Sequence, residues 1–84
     1  MEREEKPIGV VTHFFPKIGV AVVKFHESVR VGEKIAIRGA TTDFTQTIES
    51  MEVDHASVSE AKKGDEVGMK VLERVREGDK VFRA

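Results

Sequence analysis

The stretch Ile8-Gly9-Val10-Val11-Thr12-His13-Phe14-Phe15-Pro16-Lys17-Ile18-Gly19-Val20-Ala21-Val22-Val23-Lys24-Phe25 (residues 8–25) decides the fold. Two apolar, β-branched runs flank a short Pro-Lys connection, the pattern of two strands joined by a tight turn. Residues 8–15 read as the first strand and residues 18–25 as the second, apolar enough to be buried on much of both faces. Gly9 and Gly19 lie early in these strands, where glycine marks a bulge or a close backbone approach that bends a small sheet.

Outward from this hairpin the same bias continues. Thirteen Val, five Ile and five Thr stand against a single Leu, Leu72, a composition suited to pleated, half-buried surfaces and unfavourable to helix. Residues 29–32 lead to a turn before a third strand, Glu33 to Arg38, with Ile35 and Ile37 inward and Lys34 and Arg38 opposite. Residues 44–53 read as a long fourth strand; neither of its faces is purely apolar, which calls for a bulge or bend partway. Residues 55–58 form a short fifth strand, and Ser59 to Asp65 a turn with room for one helical turn. Val67, Met69 and Val71 then alternate with Glu66, Gly68 and Lys70, and Glu77-Gly78-Asp79 turns into a last strand, Lys80 to Phe82. The fold class is all-β: a small closed β-barrel of six or seven strands, with residues 1–7 a charged N-terminal tail and 8–84 a single domain.

Composition excludes several classes of function. A net charge of −1 argues against broad electrostatic attachment to nucleic acid or anionic lipid. No apolar run approaches the roughly 20 residues of a membrane span, and Met1-Glu2-Arg3-Glu4-Glu5-Lys6 leads into no apolar signal segment, so the expected location is the cytoplasm. Absence of cysteine removes disulfides and thiolate chemistry. The chain also has no Asn and a single Gln, Gln46, with abundant Glu and Lys, a pattern typical of hyperthermophile proteins.

Chemistry-bearing motifs are sparse. No phosphate-binding G-x-x-x-x-G-K-[ST] loop occurs, so GTP binding by this chain is not expected. His13, His26 and His55 are widely spaced with no H-x-x-x-H pair, and neither a metal nor another cofactor is expected. The serines lie in no strained G-x-S-x-G elbow. The chain therefore reads as a binding module and not an enzyme. Adjacent Phe14 and Phe15 cannot both face the core of an alternating strand, which makes Phe15, beside Lys17, a candidate aromatic and basic contact. The competing reading is that a bulge turns both rings inward or that one covers an open barrel end.

Together the segments resemble the second, β-barrel domain of translational GTPases, in particular the archaeal and eukaryotic relatives of elongation factor Tu. The residues that carry the resemblance are Val31 to Gly39, Ile48 to His55, Ser59 to Met69 and Val75 to Val81, in that order along residues 8–83. The resemblance implies a closed barrel with Greek-key-like connections. It also implies transfer RNA or the ribosome as partner, and Glu52 and His55 in a pocket for an aminoacyl end, although the GTPase domain is missing. A similar barrel is also appended to peptidase-like proteins involved in RNA modification, as an accessory domain. Two main readings follow: an RNA- or ribosome-binding module in translation, and a protein-interaction domain that docks onto a larger partner without touching RNA. A small-molecule or metal-binding barrel is a third.

Overall fold

The computed structural model describes residues 6–84. They form ten strands and no helix: β1 (Gly9–Phe15), β2 (Val20–Phe25), β3 (Val29–Arg30), β4 (Lys34–Arg38), β5 (Asp43–Thr47), β6 (Met51–Val53), β7 (Ala56–Val58), β8 (Glu60–Ala61), β9 (Glu66–Lys70) and β10 (Lys80–Arg83). The segment with room for a helical turn holds β8 and a turn instead. The expectation of a charged tail over residues 1–7 falls largely outside the described residues.

The β1–β2 hairpin forms as the sequence predicts. It pairs antiparallel from Gly9↔Phe25 to Phe15↔Val20, and a register shift between Val11 and His13 leaves Thr12 as the extra residue of a bulge. The bulge leaves Phe14 packed against the core and Phe15 outside it. The amide of Gly19 donates to the Phe15 carbonyl at 2.9 Å and closes the turn.

Eight strands make one antiparallel sheet in the order β5-β4-β10-β1-β2-β9-β6-β7, and β3 and β8 pair in a separate ribbon. The C-terminal strand thus inserts between β1 and β4. This corrects the expectation of a closed six- or seven-stranded barrel: the sheet is open, ending on β5 and β7. The physical reason lies in the expected fourth strand. Residues 44–53 do not run as one piece: the fully buried Ile48 still bonds to the segment before β4, and the chain then leaves the ladder before β6 begins at Met51. The Ile48 amide donates to the Glu33 carbonyl (2.9 Å) and its carbonyl accepts from the Gly32 amide (2.8 Å). The strand is split into β5, at one edge of the sheet, and β6, next to the other edge.

The core is the inner face of the curled sheet. Val11, Val23, Phe25, Ile35, Ile37, Met51, Val67 and Val81 are all nearly inaccessible. Ala36, on the outward face of β4, is buried too; its cross-strand partner Phe82 lies on the same face, and the Arg38 guanidinium sits 5.5 Å from the Phe82 ring centre.

Three connections share one design: Arg30-Val31-Gly32-Glu33, Lys62-Lys63-Gly64-Asp65 and Arg76-Glu77-Gly78-Asp79. In each the third residue is a glycine with φ near +95° (99°, 93° and 93°), a conformation that L side chains rarely adopt. In each the fourth residue's amide donates to the first residue's carbonyl, and its carboxylate accepts from the first residue's amide at 2.7–2.9 Å. The pattern basic-x-Gly-acidic is therefore a turn signal, satisfying three backbone groups that the ladders leave out. Asp79 adds a tertiary role, since it is buried against Gly39: a Cβ at position 39 would lie 1.9 Å from its Oδ1.

Candidate binding groove

Alternation along β1, β2, β9 and β6 puts one set of side chains in the core and the other on the outward face. Register places Phe15 beside Val20, His13 beside Val22, and Gly68 between Val22 on β2 and Glu52 on β6. Gly68 is the low point of this face. A Cβ there would meet only Val20 Cγ1 at 3.8 Å and the Glu52 carbonyl at 4.0 Å, so the space above it is empty of protein.

Two cavities meet at Gly68, sharing Glu52 and His55 as well. One, of about 400 Å³, runs between Phe15, Ile18, Val20 and Lys70; the other, of about 310 Å³, runs between Val22, Asp54 and Glu66. Together they form a groove with an apolar arm and an acidic arm. The first is walled by Phe15 (48% exposed), whose ring stacks on His13 at 6.3 Å between centroids, and by Ile18 (63% exposed). The β6–β7 turn forms the far wall. Both of its central residues, Asp54 (φ 52°) and His55 (φ 65°), are left-handed, as a two-residue hairpin turn demands, without the glycine usual at the second position.

Of the residues singled out from sequence, the structure brings together Phe15, Glu52 and His55 on one groove. Lys17 is exposed on the β1–β2 turn and does not line it. Ile18, Val20, Gly68 and Lys70 line it without having been singled out. For Gly68 the signal was present, since a glycine among alternating residues 66–72 marks a place where something approaches the backbone. Among the described residues no group of three His, Asp or Glu side chains is placed to hold a metal ion, and no helix is long and apolar enough to cross a membrane.

Fold and groove define a small all-β domain with an open groove on its outward face. The chain is 40% identical over 76 residues to an uncharacterised protease of Methanocaldococcus jannaschii, covering 89% of this chain and 19% of that protein. It is 30% identical over 83 residues to a collagenase of Porphyromonas gingivalis, covering 96% of this chain and 23% of the collagenase. The chain thus spans about a fifth of the length of the curated relatives it matches. No protein-family model matches it. In structure it superposes with a TM-score of 0.88 on the C-terminal domain of a protein described as a U32 peptidase from Geobacillus thermoleovorans. That comparison covers 93% of this chain and 99% of the domain at 22% identity, so it speaks for the fold. A second structure of the same domain gives 0.87.

These findings correct the resemblance to domain 2 of translational GTPases: the matching proteins are named as peptidases and collagenases. Transfer RNA and the ribosome, expected as partners on that resemblance, fall with it. The misleading motifs have a physical explanation. Two of the four segments that carried the resemblance contain basic-x-Gly-acidic turns, and a third begins inside one. Such turns meet a local backbone requirement of strand connection, so a shared order of them does not by itself establish a shared family.

Proposed function

We propose that this chain is a non-catalytic accessory domain that works by docking against a larger protein of the U32-peptidase type. The observation that carries this reading is the block-like recurrence of its sequence as about a fifth of proteins named as proteases. A unit of this kind with its own buried core contributes surface, leaving bond-breaking chemistry to the remaining four-fifths. The docking surface centres on the β1–β2 turn, where Phe15, Ile18 and, across the adjoining Gly19–Val71 backbone bond, Leu72 (66% exposed) present apolar area to solvent.

The test is calorimetric titration of the purified chain into a U32-type peptidase lacking this domain, from the same organism. A saturable complex that weakens about tenfold or more in the Phe15→Ala, Ile18→Ala double variant is expected. A peptidase that ignores the chain in both forms sinks the reading.

A further inference from the structure

The geometry points to the Gly68 groove as a recognition site for an extended peptide segment carrying an arginine or lysine with an apolar residue two positions away. The inference rests on the docking reading only in taking the ligand to be protein. Its argument begins with charge. Glu52, Asp54 and Glu66 line one arm of the groove, and among the described residues none of them makes an ion pair or a side-chain hydrogen bond. The cations nearby are placed otherwise: Lys24 stands opposite Glu66 in register without an ion pair to it, and Lys70 lies on the apolar arm opposite Val20. Three carboxylates around a space with an open floor suit a guanidinium or ammonium, and they repel the phosphates of a nucleic acid.

Spacing supplies the second half. The apolar arm begins at Phe15, Ile18 and Val20, one alternate strand position from Val22, which lies on the acidic arm. Side chains at i and i+2 of an extended peptide project from one side about 7 Å apart, matching that step. A basic residue over Gly68 thus meets Glu52 and Asp54, while the residue two positions away comes over Val20 and Lys70, in the arm that Phe15 and Ile18 wall. The Phe15 ring, held by its stack on His13, also offers an edge of the groove for the cation's stem. Gly68 is indispensable to this arrangement because any branched side chain there fills the place where the two arms meet.

The inference is tested by following the backbone amides of the intact chain by NMR while adding a capped pentapeptide with arginine second and leucine fourth, glycine elsewhere. Saturable shifts at Gly68, Glu52 and Asp54 are expected, weakened about fivefold or more when glutamate replaces the arginine. Glu52→Gln, an exposed change, weakens binding about threefold or more, and Gly68→Val abolishes it with the folded spectrum retained. Absence of saturable shifts up to about 5 mM peptide, equal shifts with the glutamate peptide, or unchanged binding by a folded Gly68→Val chain would each overturn it. Docking is separable: a peptidase that binds Gly68→Val as tightly as the parent removes the groove from the interface and leaves the docking reading standing. A chain that binds the arginine peptide but no U32-type peptidase keeps the groove and loses the docking reading.

Discussion

Gln46 of β5 holds the backbone at Leu72 across the seam of the curled sheet. Its Oε1 accepts the Leu72 amide and its Nε2 donates to the Lys70 carbonyl, both at 2.9 Å. A primary amide can imitate the donor-acceptor pair of a neighbouring strand, so one buried side chain joins the β5 edge to the end of β9 where the ladder does not. The single Gln of the chain is thus a structural clasp.

Replacing Gln46 with alanine removes both bonds and leaves the Leu72 amide and the Lys70 carbonyl to find other partners. The expected loss of stability is about 2–4 kcal/mol, read from urea denaturation. Faster hydrogen exchange at the Leu72 amide locates the effect at the seam.

Gly39 and Asp79 form a second coupled pair. Gly39→Ala drives a methyl into the buried carboxylate that holds the Arg76 amide at 2.8 Å, at an expected cost of about 2–3 kcal/mol. Asp79→Ala alone loses that bond, about 1–2 kcal/mol. The double variant should be more stable than the sum of the two predicts, by about 1 kcal/mol or more in a double-mutant cycle, because the clash has gone.

His55→Gly should raise stability by about 0.5–1 kcal/mol, since glycine adopts the left-handed turn conformation without the crowding of a Cβ. Thermal unfolding checks this. Peptide titration of the same variant shows whether the imidazole contributes to the groove, because stabilisation with weaker binding is the signature of a residue kept for contact.

Gly68→Ala is expected to stabilise the domain by about 0.5–1 kcal/mol, because its φ is ordinary and its Cβ finds only van der Waals neighbours. A fall in the melting temperature would show that the groove floor has no room for even one methyl.

Strand-forming segments were legible because burial writes itself as alternation. Residues 33–38 and 66–72 carry inward Ile, Val or Met at every second place, residues 20–25 bury Ala21, Val23 and Phe25 in the same rhythm, and the strands formed lie within one or two residues of the expected limits. The mixed faces of residues 44–53 announced a break but not its site. That site depends on Ile48 entering a core supplied by distant segments and on its two bonds to Gly32 and Glu33. In the groove, Phe15 was readable from the Phe-Phe pair and Glu52 and His55 from a family resemblance that proved misplaced. Lys17 was expected beside Phe15, yet a turn residue's direction is set by the turn and not by strand alternation.

By itself the sequence determined an all-β chain with one core, because the period-two placement of Val and Ile leaves no helical face to bury and 84 residues supply one core's worth of apolar side chains. It also determined the three basic-x-Gly-acidic turns, whose bonds run between residues three apart. Tertiary structure alone decided that the sheet stays open with Gln46 clasping its seam, and that Phe15, Gly68, Glu52 and His55 share one groove. Those relationships join residues separated by tens of positions, and only the packing of the curled sheet sets the distance between them.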